Sequence, residues 1–211
     1  MKKITLIGGG GFSSEVAEIA EHNGYEVLGY VDSSKTSSNL NYLGTEEVFF
    51  KTHDPENYIF PSFAAVDRKG IINRSSNIQK YKNFKIPSLI SKFSNVSKDV
   101  KIGKGVLISH GVIINPGANI KDFSIINCRS TIGHNVIISE LSIISGHVFI
   151  GGSSFVGSSS LIGPGVNIMQ SISIGEKVVV SIGACVARNV PDGKTVIPNM
   201  SKYIWEKWAK F

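Results

Sequence analysis

The chain carries little that would place it outside a reduced, water-filled compartment. Two cysteines in 211 residues are too few for a disulfide-stapled secreted fold. Cys128 and Cys185 also fall at different phases of the repeat set out below, which argues against their pairing and for a cytoplasmic protein. No apolar run approaches the ~20 residues of a membrane span. The opening MKKITLIGGGG has only a brief apolar stretch before its glycines, so it reads as a first strand rather than a signal peptide. Charged residues make up 18% of the chain, and the net charge of +6 is scattered. That balance suits a phosphate-bearing ligand; without an aromatic-interleaved basic cluster it argues against nucleic acid.

What is abundant is a period of six. From Val96 through Ile102, Ile108 and Ile114 to Val180 and Val186, every sixth residue is Ile or Val. A second row two places earlier, from Ser94 and Val100 to Val178 and Ala184, holds only Ser, Ala, Val and Ile. An α-helix would sweep such side chains all round its axis. A solenoid of short strands would turn each hexad into one flat face of a triangular coil, the aliphatic residue inward and the small one easing the corner. Residues eighteen apart then stack, and the hexads make a little over five coils. Burying each Ile or Val is worth ~1.5–3 kcal/mol before entropy is subtracted.

The first eighty-odd residues differ. Ile4–Ile7 reads as a buried strand, followed by Gly8-Gly9-Gly10-Gly11 and a helix from about Ser14 with Val16, Ile19 and Ala20 on one face. Gly24 closes that helix, and Glu26–Val31 reads as a second strand ending at Asp32. This is the opening of a nucleotide-binding α/β unit, although Ser13 stands where a full G-x-G-x-x-G has its third glycine. Its turn would let a pyrophosphate approach backbone amides at a helix start. Further on, the pattern predicts a loop over Ser33–Asn39, a strand over Phe60–Val66 and a helix over Ile71–Tyr81. The pattern changes near Pro87, giving domains 1–85 and 86–211. Beyond the turn Pro191-Asp192-Gly193, Trp205, Trp208 and Phe211 stripe a tail expected to be a helical cap on the solenoid.

Among the solenoid histidines, His134 stands two places after Ile132, at a corner, with Gly152 on the same corner one coil later. A histidine beside exposed N–H groups pairs a general base with an oxyanion site. His110 and His147 belong to another corner and are read as surface residues. Their separations from His134, 24 and 13 residues, form no metal-ligand spacing, so no metal is expected.

A glycine-turn α/β domain ahead of unbroken hexads resembles the two-domain sugar acetyltransferases, NeuD/PglD-like. These include nucleotide-linked amino-sugar N-acetyltransferases and sialic acid O-acetyltransferases. The residues carrying the resemblance are Ile7-Gly8-Gly9-Gly10-Gly11, Gly29-Tyr30-Val31-Asp32, Ile132-Gly133-His134-Asn135 and Ile150-Gly151-Gly152. It implies an α/β Rossmann-like domain followed by an all-β left-handed parallel β-helix, assembled as a homotrimer with three sites between rods. It implies acetyl-CoA as donor and acetylation of the amine of a UDP- or dTDP-4-amino sugar for surface glycan synthesis. O-acetylation of a sialic acid is the alternative, and a trimer without catalysis the alternative of another class. His134 would be the base, Asn135 its neighbour in place of the family's acidic residue, and Gly152 the oxyanion donor. Gly151, Gly152, Ile143, Gly163 and Lys202 would face acetyl-CoA. Gly9, Gly10, Gly11, Phe12, Asp32 and Asp67 would face the nucleotide sugar.

Overall fold

The computed structural model describes residues 2–198. The expected tail cap, with Lys202, Trp205, Trp208 and Phe211, lies outside the described residues. The N-terminal unit runs β1 (Lys2–Ile7), α1 (Phe12–His22), β2 (Tyr25–Val31), α2 (Glu46–Thr52), β3 (Tyr58–Pro61) and α3 (Arg68–Gln79). Its three strands are parallel in the order β2-β1-β3. α1 buries Val16, Ala17, Ile19 and Ala20 against them, the spacing expected of one helix face.

Two boundaries differ from the sequence expectation for identifiable reasons. β3 occupies Tyr58–Pro61 rather than Phe60–Val66, because Ser62 turns back onto β1. Its N–H donates to Ile7 O at 2.8 Å and its hydroxyl to Gly8 O at 2.6 Å, and the chain leaves the sheet there. α3 starts at Arg68 rather than Ile71, because the Asp67 carboxylate accepts the Gly70 N–H at 2.7 Å and caps the first turn. The short α2 was not anticipated.

From Leu89–Ile90 to Thr195–Val196 the chain is a parallel β-solenoid of about six turns, matching a left-handed β-helix. Its two-residue strands stack into three sheets of seven, six and five strands, here faces one, two and three. They begin at Leu89–Ile90, Asn95–Val96 and Lys101–Ile102 respectively. Partners lie eighteen residues apart, Ile126 on Ile144 and Ile132 on Ile150. The hexad isoleucines fill the interior, fully buried from Ile108 to Val180. The second row is small for a reason beyond space. Ser124, Ser130, Ser142, Ser154 and Ser160 each donate across the coil to a backbone carbonyl at 2.8–2.9 Å. Four of those hydroxyls also accept a backbone N–H from the next coil. Hydroxyls in an apolar bore are tolerated because each donor is used, and in these four the acceptor as well. The last coil is two residues short: Val180 pairs with Val196 and Ile174 bridges Val190, so the rod continues past Val186 after one shortened corner.

Each corner solves one backbone problem in the same way. The third residue after every inward Ile or Val, from Gly105 to Gly183, has φ between 52° and 75°. Nine of these residues are not glycine, although the left-handed region costs a side-chain-bearing residue ~1–2 kcal/mol. The return is a continued ladder: Asn135 N–H reaches Pro116 O, Ser153 N–H reaches His134 O, and Ser171 N–H reaches Gly152 O, at 2.8–3.0 Å. The residue just before makes no such backbone bond, so Pro116 and Pro164 fit there.

The two units share a core. Leu89, Leu107, Ile125, Ile143 and Leu161, on the outer side of face one, are buried beneath the α/β unit. α3 lies along the edge between faces three and one. Its Arg74 is buried and donates to Phe63 O (3.2 Å), Leu141 O (3.1 Å) and Phe123 O (2.7 Å), riveting the helix to two successive corners. Burial pulls that guanidinium down to about 9, still above neutral pH, so it is held as a cation by carbonyls alone.

Candidate functional site

The corner between faces two and three carries, coil by coil, Lys98-Asp99, Pro116-Gly117, His134-Asn135, Gly152-Ser153 and Gln170-Ser171. His134 and Asn135 are exposed there. The imidazole lies over Gly152: a side chain on that glycine would stand 2.4 Å from His134 Nε2 and 2.6 Å from Cε1. Gly133 is required by the same stacking, since a Cβ there would stand 2.6 Å from Gly152 N. Gly152 N–H forms no hydrogen bond among the described residues, as the corner geometry dictates at its position. At two comparable corners a carboxylate claims the free N–H: Asp122 takes that of Lys104 and Asp192 that of Glu176. At Gly152 none does. The exposed imidazole and a half-buried glycine with an unclaimed N–H therefore meet on successive coils of one corner. On the other ring nitrogen, Nδ1, the Asn135 amide approaches to 3.3 Å.

Other expected residues are dispersed. Gly151 is buried under Met169-Gln170 on the His134 corner. Gly163 belongs to the edge between faces one and two, with His110 and His147, and Ile143 is buried on face one under the α/β unit. Neither reaches His134 within one chain, and Ile143 offers no surface to a cofactor. Among the described residues no group of three His, Cys, Asp or Glu side chains could hold a metal ion. Cys128 and Cys185 are free and exposed.

At the carboxyl ends of β1 and β2 lies a cavity of about 790 Å³, lined by Gly8, Asp32, Thr45, Glu46, Asn77 and Lys80 among others. Asp32 grips the glycine turn rather than standing free: Oδ2 accepts Gly9 N–H at 2.8 Å and Oδ1 accepts Ser33 N–H at 2.7 Å. Gly9 is glycine because the Tyr30 ring would meet a Cβ at 2.1 Å. Gly8 N–H is taken by Val31 O, while those of Gly10 and Gly11 have no acceptor among the described residues, and a Cβ on either glycine would meet nothing there within 4 Å. Phe12, the first residue of α1, packs on the core, and Asp67 is spent on capping α3. Burial and a hydrogen bond to Glu46 push the Tyr81 phenol up, so it stays protonated and holds Glu46 at the cavity wall with Lys80 on its other side. Sequence reading missed Glu46, Asn77 and Lys80, which no motif marks.

Residues 3–66 match the PglD N-terminal domain family. No curated protein matches the sequence. The fold is similar to the acetyltransferase domain of PglB from Neisseria gonorrhoeae FA1090, at 28% identity and a TM-score of 0.82. That match covers 92% of this chain and 96% of that one. The same domain in complex with acetyl coenzyme A matches at 27% identity, with 92% and 95% coverage and a TM-score of 0.82. PerB from Caulobacter crescentus, in complex with CoA and GDP-perosamine, shares the fold at 24% identity, with 91% and 92% coverage and a TM-score of 0.83. With a PglD-type N-terminal domain joined to a six-turn solenoid, the chain fits the PglD-like hexapeptide-repeat sugar acetyltransferases.

Proposed function

We propose that the protein transfers the acetyl group of acetyl-CoA to the amine of a nucleotide-linked amino sugar. The observation that carries this reading is the His134 imidazole lying over Gly152, whose N–H is unclaimed. The neutral amine attacks the thioester carbonyl, and His134 Nε2 takes the proton the nitrogen sheds. The carbonyl oxygen gathers charge against Gly152 N–H. As the tetrahedral intermediate collapses, the C–S bond breaks and His134 returns the proton to the CoA sulfur. A base of this kind contributes ~10²–10⁴ in rate and one oxyanion donor ~10²–10³. The neighbours support the chemistry: one is bound to acetyl coenzyme A, another to CoA and GDP-perosamine.

The nucleotide belongs in the cavity beside Gly8 and Asp32, its phosphates toward the free N–H groups of Gly10 and Gly11 at the start of α1. Within one chain that cavity and His134 are on different sides of the rod, because the α/β unit packs on face one and His134 stands on the opposite edge. Apolar Ile113 and Phe149 on face two, and Ile137 and Phe155 on face three, are exposed on both flanks of the His134 edge. A trimer would cover them and complete each site with a neighbouring chain.

The test is release of CoA thiol from acetyl-CoA against UDP-, dTDP- and GDP-linked 4-amino sugars and free and CMP-linked sialic acids, with His134→Ala alongside. Turnover with an amino sugar, reduced ~10²-fold or more in the variant, is the expected result. Turnover with sialic acids only moves the assignment to O-acetylation. Acetyl-CoA binding without turnover on any acceptor favours a trimer that has lost catalysis.

A further inference from the structure

Below His134 the same corner holds a column of three residues eighteen apart, Asp99, Gly117 and Asn135. Asp99 Oδ2 accepts the Gly117 N–H at 2.8 Å. The Asn135 side chain lies flat over Gly117, where a Cβ would stand 2.1 Å from its Oδ1 and any larger residue would lift the amide off the column. Asn135 Nδ2 faces His134 Nδ1. In that setting Nδ1 must be the acceptor, which leaves the proton on Nε2, the nitrogen over Gly152, and so disables the base. It also aims Oδ1 toward the glycine whose N–H the Asp99 carboxylate already holds. Half a turn of the amide exchanges its two ends in the same volume. The NH₂ group then faces the Asp99 side, and Oδ1 accepts a hydrogen from Nδ1, leaving the Nε2 lone pair free.

We propose that Asp99 and Gly117 are positioning residues for His134. Gly117 keeps the Asn135 amide flat, and the Asp99 carboxylate selects the amide orientation that fixes the imidazole as its Nδ1–H form. A carboxylate two coils away thereby supplies, through a neutral amide, the orientation that an acidic residue beside the base would give directly. This rests on His134 being the base, but the imidazole tautomer is readable without turnover.

The experiment records ¹⁵N chemical shifts of His134 in full-length protein, and the pH profile of kcat/KM, for wild type, Asp99→Asn, Gly117→Ala, Asn135→Asp and the double variant Asp99→Asn/Asn135→Asp. Asparagine at 99 keeps an acceptor for Gly117 N–H and removes only the charge. Wild type is expected in the Nδ1–H form, shifting toward Nε2–H in Asp99→Asn and Gly117→Ala, with kcat/KM down about three- to tenfold. In the Asn135→Asp background the carboxylate binds Nδ1–H itself and Asp99 becomes a repelling neighbour, so Asp99→Asn should leave kcat/KM unchanged or raise it. A purely structural Asp99 would lower activity equally in both backgrounds, which would overturn the proposal. So would a wild-type imidazole in the Nε2–H form, or a tautomer indifferent to Asp99 and Gly117. Failure of the function reading would show instead as the expected tautomers with no turnover on any acceptor.

Discussion

Replacing Gly152 with alanine puts the smallest side chain into the contact on which the proposed mechanism depends. Its Cβ would stand 2.4 Å from His134 Nε2 and 2.6 Å from Cε1. Ordinary contact is ~3.6 Å, so the ring must retreat by roughly 1.2 Å or rotate away. Gly152 does not have positive φ, so alanine brings no backbone strain, and the exposed imidazole can swing into solvent. Stability should therefore hold, with the thermal midpoint moving by no more than ~2 °C. Activity should not, because a displacement of about 1 Å at the reacting groups costs ~10²-fold. The assay is CoA-thiol release under subsaturating acceptor, with thermal unfolding on the same preparations. A variant that keeps kcat/KM within threefold of wild type would refute the idea that the imidazole must rest over this glycine.

Other expectations follow from the packing. Arg74→Met should cost ~2–4 kcal/mol in urea unfolding, because the carbonyls of Phe63, Phe123 and Leu141 lose their donors. Ser142→Ala removes a buried hydroxyl that serves Gly157 O and Ser160 N–H, for a loss of ~1–3 kcal/mol by the same measurement. His147→Gly relieves a left-handed residue at φ 58°; it should gain up to ~1 kcal/mol and leave turnover unchanged, where lost turnover would return that histidine to the chemistry. Phe149→Glu places a charge on the apolar flank of the His134 edge and should shift the proposed trimer toward monomer in sedimentation.

The rod was legible because one residue in six meets the same environment at every coil, so Ile108, Ile126 and Ile144 repeat the signal that Ile132 gives. The same logic extends the row one hexad earlier, to Ile90. It fails after Val186, where two residues are lost from a corner and the inward position passes to Val190 and Val196. The covering of face one was also written in the sequence, as a second period: the residue ahead of every third inward aliphatic, from Leu89 to Leu161, is apolar. That longer beat is easily lost beneath the shorter one. The α/β unit was readable in its order but not in its bounds, because Ser62 and Asp67 set the ends of β3 and α3 through side-chain bonds. His134 and Gly152 share a corner by arithmetic alone. The cavity wall of Glu46, Asn77 and Lys80 is assembled from three distant segments and has no spacing to betray it.

The shape of the corner has a bearing on how chemistry arises on such a scaffold. Because the left-handed residue carries the ladder onward, the residue before it is released at every turn, and the rod presents a rank of interchangeable donors along each edge. Four are silenced locally, by proline at Pro116 and Pro164 or by a capping aspartate at Lys104 and Glu176, and the others have no acceptor among the described residues. The electrophilic half of a catalyst is thus inherited from the backbone at no further cost in design. An active centre could migrate by one coil through two substitutions, a histidine below and a glycine above. In the proposed mechanism the solenoid fixes where reaction can occur only as a set of options, and a histidine set over a glycine chooses among them.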